Sequence, residues 1–112
     1  MATIRPIASE KPLGTIVVQP PNELPRTLVS EYLDDSRRDL PVLHTALIAG
    51  DYERARIFGH QMKATGCPYG FADLTILGIA IERAAADKDT LKLNHLFHEL
   101  EDYLSRVQIA GE

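Results

Sequence analysis

From Leu24 onward, apolar positions recur with a helical period. Leu28, Tyr32, Leu40, Leu43 and Leu47 fall on one broad face that runs up to Gly50, the spacing of a helix with one buried side. Pro41 interrupts this pattern. Because proline lacks a backbone donor, it either kinks such a helix or starts a second one, here with Asp39 as the cap; the expected outcome is one long, kinked helix. Gly50 and Asp51 read as a stop followed by an N-cap, and Glu53 and Arg54 open a second helix. That helix is expected to end near Gly66, because Pro68 biases Cys67 away from helical geometry and Gly66 and Gly70 bracket the break. A third helix starts near Phe71. Its face is Leu74, Leu77, Ile81 and Ala85, with Gly78 on the same side, where a missing side chain admits a neighbouring helix. After "ADKD", Asp89 can cap a last helix with the stripe Leu93, Leu96, Phe97, Leu100, Leu104 and Val107, and "IAGE" follows.

Four amphipathic helices with short connections predict an all-α chain, an antiparallel four-helix bundle over residues 24–112. Residues 1–23 read differently. Five of the seven prolines, Pro6, Pro12, Pro20, Pro21 and Pro25, fall at or beside this stretch and leave no room for a helix. Within it "GTIVVQ" is a short β-branched run, but a lone strand has no sheet to join. An extended N-terminal arm, packed along the domain or mobile, is the expectation.

Composition narrows the function classes. A chain of 112 residues with 45% hydrophobic content suits one core. A formal charge of −4 argues against a surface held to nucleic acid by many phosphate contacts. Cys67 is the single cysteine, "MATIRPIASEKPLG" has no leader-like apolar stretch, and no apolar run nears the roughly 20 residues of a membrane span. A soluble, cytoplasmic chain without membrane insertion is expected.

The candidate chemistry lies in "GHQMKATG", residues 59–66. With residues about 100° apart around the second helix, Ala55, Phe58, Met62 and Gly66 cluster on one side, and His60 points roughly 150° away, into water. Arg56 and Lys63 fall within about 60° of it, so the ring is expected between two cations. Positive neighbours favour the neutral ring, whose free nitrogen is a nucleophile. If the electrophile is a phosphoryl group, Lys63, and Arg56 with it, can neutralise the oxygens that gather charge during transfer. Gly59, Ala64 and Thr65 are small and leave room for a large partner, so a protein surface fits better than a metabolite.

The stretch "GHQMKATGCPYGFADLTILGIAIE" resembles the signature of histidine phosphotransfer (HPt) domains, whose motif is His-x-x-Lys-Gly with a further glycine ten residues after the histidine. Without gaps, His60, Lys63 and Gly70 match, and Leu74, Leu77, Gly78 and Ile81 fall on apolar or small positions of the family's next helix. The resemblance spans roughly residues 24–107. It implies that His60 accepts a phosphoryl group from an aspartate of a response-regulator receiver domain, or returns it, with Lys63 holding the phosphoryl oxygens. Arg56, Gly59 and Ala64 would lie in the docking face, and receivers or a hybrid histidine kinase would be the partners of a monomeric carrier. No cofactor is implied, any Mg²⁺ being held by the receiver. Glu82 falls where family members often carry glutamine or another polar side chain that reaches the histidine, and it either orients the ring or pairs with a surface neighbour. Two departures stand out: Ala64 replaces the glycine after the lysine, and Cys67-Pro68 is an unusual filling of the loop.

Two other uses of these residues stand beside phosphotransfer. His95 and His98, three apart on one helix, could share a metal, but His60 and Cys67 come from another helix and no spacing gathers three strong ligands; no metal site is expected. The alternative to phosphotransfer is a non-catalytic helical interaction module that docks a receiver without passing phosphate.

Overall fold

The computed structural model describes residues 14–111; residues 1–13, which hold the first part of the expected arm, and Glu112 lie outside the described residues. Four helices pack around one apolar core: α1 (Arg26–Ile48), α2 (Tyr52–Thr65), α3 (Ala72–Ala86) and α4 (Thr90–Arg106). Their ends follow local chemistry. The Asp51 carboxylate accepts from the Arg54 amide at the start of α2, and the Asp89 carboxylate accepts from the Lys92 amide at the start of α4, satisfying donors that a first helical turn leaves without partners. Between α1 and α2, Gly50 takes a positive φ of 74°, which lets the Asp51 amide donate back to the Ala46 carbonyl. Among the described residues no helix is long and apolar enough to cross a membrane.

The core is built from Leu33 and Leu43 of α1, Met62 of α2, Leu74 and Ile81 of α3, and Leu93, Phe97 and Leu100 of α4, with Phe71 filling the centre from the turn before α3. In α1 the phase differs from the expected one. Val29, Leu33, Ser36, Leu40, Leu43 and Ala46 are buried, whereas Leu28 is exposed and Tyr32 and Leu47 lie at the margin. The helix runs on through Pro41, and Asp39 lies inside it and caps nothing. With Leu40 and Leu43 both anchored in the core, burial on either side of the proline holds the helix together despite the lost hydrogen bond. Tyr32 stacks on Tyr69, ring centroids 4.4 Å apart, and its hydroxyl shares a 2.9 Å hydrogen bond with Thr65, tying α1 to the end of α2.

The arm is where the structure departs most from expectation. Ile16–Val18 form a strand, β1, which pairs in parallel with a second strand, β2 (Val107–Ile109), in the register Ile16↔Val107 and Val18↔Ile109. Val107, expected to close the last helical stripe, is thus in a strand, and "GTIVVQ" has its partner in residues just after α4. Two arginines hold this corner: Arg37 donates to the carbonyls of Leu104 and Val107, and Arg106 donates to that of Gly14. Val107 and Ile109 are buried, Ile16 and Val18 pack against the same core, and Pro20 is buried as well.

In the middle of the α2–α3 hairpin the two backbones meet through Gly59 and Gly78. A Cβ placed on Gly59 would lie 2.6 Å from the backbone nitrogen of Glu82 and 2.9 Å from the carbonyl oxygen of Gly78. One placed on Gly78 would meet the backbone nitrogen of Lys63 and lie 2.8 Å from the carbonyl oxygen of Gly59. The obstacles are main-chain atoms, so a methyl group has no flexible neighbour to push aside.

Two stability measurements follow from this packing. Gly78→Ala gains up to about 1 kcal/mol of helix propensity, yet forces the two backbones apart at an overpacking cost of about 1–3 kcal/mol, so its thermal midpoint should fall. Ile109→Ala, three residues before Glu112, should cost about 2–4 kcal/mol because the residue is core; an unchanged denaturant midpoint would show that the strand pair contributes nothing.

Candidate functional site

His60 follows Gly59 on α2. Because Gly59 faces α3, the next residue, about 100° further round, emerges at the edge of the α2–α3 seam. The His60 side chain is 59% exposed. Glu82 belongs to the turn of α3 whose backbone lies against Gly59, and its carboxylate meets two groups of α2 at once: Oε2 lies 2.9 Å from Nδ1 of His60, and Oε1 lies 2.7 Å from Nζ of Lys63. The glutamate side chain is 23% exposed and that of Lys63 38%.

The Glu82 carboxyl is held below the ordinary glutamate range, chiefly by the hydrogen bond from Lys63 and next by the one from His60. An ionised carboxylate has no proton to give, so the short contact requires the ring to donate from Nδ1. In the neutral ring Nε2 then carries the lone pair. A carboxylate on one nitrogen and a free lone pair on the other is the arrangement that makes imidazole a directed nucleophile.

The expected pair of flanking cations is therefore arranged differently. Arg56 binds Glu53 through two hydrogen bonds, of 2.9 and 2.6 Å, and also feels the Glu82 charge, while Lys63 and His60 meet on the carboxylate they share. The charge adjoining the ring is Glu82. Gly59 is buried against α3, so its small size serves helix packing and it offers no open surface, while Ala64 is exposed on the same side as His60. Ile57, three residues before His60 and 45% exposed, was not singled out from the sequence. Its signal was an apolar side chain out of phase with the buried stripe Ala55, Gly59 and Met62.

The C-terminal end of α2 is fastened by Thr75, whose hydroxyl donates to the Lys63 carbonyl at 3.2 Å and accepts from the Cys67 amide at 2.7 Å. Thr75 also escaped notice in the sequence, since a lone threonine in a helix carries no distinguishing pattern. His95 and His98 pair with Glu99 and Glu101, and the His98 ring lies 5.5 Å from that of His44 on α1, all remote from His60 in the chain. A depression between α3 and α4, bordered by Ile16, Asp73, Ile76, His95 and Tyr103, does not include His60.

The order of the two hydrogen bonds is testable. A glutamate with a lowered folded-state value contributes stability above its unfolded titration range and loses it as pH falls through the folded value. The clamp should accordingly persist below about pH 4.3, where an ordinary glutamate takes up a proton, and open only in stronger acid. In a carbon-13 carboxyl titration, Lys63→Ala should move the Glu82 midpoint upward, and by more than His60→Ala does; equal midpoints in all three proteins would show that the clamp is absent in solution. Comparison of the chain with family models, with curated proteins and with solved structures gave no match.

Proposed function

We propose that the chain is a histidine-containing phosphotransfer domain of a two-component phosphorelay, a cytoplasmic monomer that carries a phosphoryl group on His60 between aspartates of receiver domains or of a hybrid histidine kinase. The observation that carries this reading is the exposed His60 ring held at Nδ1 by Glu82, with Lys63 on the same carboxylate. The helix arrangement is in keeping with it. Contacts between α2 and α3 pair Gly59 with Glu82, Lys63 with Gly78 and Gly66 with Thr75, a falling order along α3 as α2 rises that supports reading the bundle as antiparallel.

In the proposed step, Nε2 of His60 attacks the phosphorus of a receiver's aspartyl phosphate. The N–P bond forms, the O–P bond breaks, and its electron pair leaves with the aspartate carboxylate. The ring passes from neutral to singly positive, keeping its Nδ1 proton toward Glu82, and the reverse step returns the electron pair to Nε2. Lys63, 2.7 Å from Glu82, is within a side-chain rotation of the arriving phosphoryl oxygens and offsets their charge. Arg56 and Ala64 border the docking face, with Ile57 as its apolar element and Gly59 as the packing residue beneath.

A second reading is a docking module that binds a receiver without accepting phosphate. The observation favouring it is Ala64, which places a methyl group on the exposed face where the resembled family has glycine.

Incubation with a phosphorylated receiver separates the two. Acid-labile label on His60, lost in His60→Gln, is the expected result; stoichiometric binding with no label would favour the docking module. Ala64→Leu should abolish both label and binding while leaving the helical circular dichroism unchanged, because the side chain is exposed. Full transfer by that variant would place the docking face elsewhere.

A further inference from the structure

The group adjoining His60 is a full negative charge, which has consequences for the phosphorylated state. We propose that Glu82 makes phospho-His60 a short-lived carrier that hands its phosphoryl group on readily, by holding the proton on Nδ1 of the phosphorylated ring. This rests on the phosphotransfer reading above.

The chemistry turns on the leaving group. When the P–N bond breaks with a proton on Nδ1, the electron pair returns to Nε2 and neutral imidazole departs; without that proton the leaving group is an imidazolate anion, which is far poorer. After transfer the ring is an N-phosphoryl imidazolium, and its Nδ1 proton either stays or is lost to water. Glu82 Oε2, 2.9 Å from Nδ1, is an anion accepting from a cation, and opposite charge at that range favours the charged form. An amide at this position would accept a similar hydrogen bond with no net charge and would hold the proton less firmly.

A second effect acts in the same direction. The phosphoryl group brings about two negative charges to a site that already contains the Glu82 carboxylate, and Lys63, the cation nearest to hand, is partly neutralised by that carboxylate at 2.7 Å. Of the remaining charged groups, Arg56 on α2 is bound by Glu53 and also feels the Glu82 charge, which offsets part of the crowding, while on α1 Asp35 and Asp39 border the hollow beside Gln61 and interact with Arg38. The first effect lowers the barrier to P–N cleavage by supplying a neutral leaving group, and the second raises the free energy of the phosphorylated state by crowding negative charge, so both make the phosphoryl group easier to pass on.

The experiment uses the full chain and potassium phosphoramidate, which phosphorylates histidine without a protein partner. Phospho-His60, located by mass spectrometry, is followed by phosphorus-31 NMR across neutral pH in the native protein, in Glu82→Gln, and in Glu82→Ala as a second variant, with circular dichroism as the folding control. In both variants phospho-His60 should live about three- to tenfold longer at neutral pH, and its lifetime profile should shift to lower pH by about one unit, the range expected for removing one adjacent opposite charge. Superimposable profiles in all three proteins would overturn the proposal while leaving phosphotransfer intact. If His60 takes up no phosphate in any of them, the phosphotransfer reading falls and the proposal falls with it.

Discussion

The site depends on the distance between two backbones. Gly59 and Gly78 lie where α2 meets α3, and with no side chains between them the main chains come close enough that the amide of Glu82 rests against Gly59. His60 is the next residue along α2, so the spacing that admits the glycines also determines whether a carboxylate from α3 can reach the ring. A typical interhelical distance of 8–10 Å would leave the glutamate to find solvent or another partner. At this crossing the helices need little apolar volume, and the core is correspondingly heavier elsewhere, in Phe71, Leu74, Ile81 and Phe97.

From that crossing comes an electrostatic arrangement with more parts than a histidine and a lysine on one helix turn. Glu82 receives Lys63 on one oxygen and His60 on the other, so its charge is shared, its carboxyl titrates low, and both partners lose rotational freedom. For an exposed cluster the stabilisation is small; what the cluster supplies is orientation. An imidazole with a free rotor and two tautomers becomes one with a preferred edge and a preferred nucleophilic nitrogen. Lys63 is held beside that ring on the same carboxylate, and under the proposed phosphotransfer an incoming phosphoryl group would compete with Glu82 for it.

Much of the helical order was legible because its signals are local. Asp51 and Asp89 sit at the starts of α2 and α4 and make the cap hydrogen bonds their positions suggested, and the phase of α4 was readable from Leu93 to Leu104. The phase of α1 was not, since Pro41 divided the pattern and favoured Leu28 over its neighbour Val29, the one that is buried. The strand pair was hidden by distance and coincidence: Val107 is three residues after Leu104 and fits a helical stripe as well as a strand, and its partner Ile16 lies at the other end of the domain. At the site, the helical wheel gave the outward direction of His60 and the nearness of Arg56 and Lys63, but a wheel contains no partners from other helices. The Glu53–Arg56 pair, at i,i+3 spacing, was open to that reasoning. The distance from Glu82 to the ring was not, because it is set by the glycine crossing.

The strand pair bears on the site through the same chain of contacts. β1 brings Pro20 and Pro21 against Gly70, in the turn that links α2 to α3, while Tyr69 of that turn stacks on Tyr32 of α1. Thr75 adds the hydrogen bonds that join the first turn of α3 to the last turn of α2. The end of the α2–α3 hairpin nearest Lys63 is thus fastened by an arm segment, an aromatic stack and a threonine, and its middle is fastened by the two glycines. Under the proposed phosphotransfer, the exposed face carrying His60 would meet a receiver as a fastened surface whose local adjustment is the exchange of Lys63 between a carboxylate and a phosphoryl group. Under the proposed transfer the Lys63–Glu82 contact is the one to be exchanged, so the fold can remain as it is while a phosphoryl group with about two negative charges arrives at the ring.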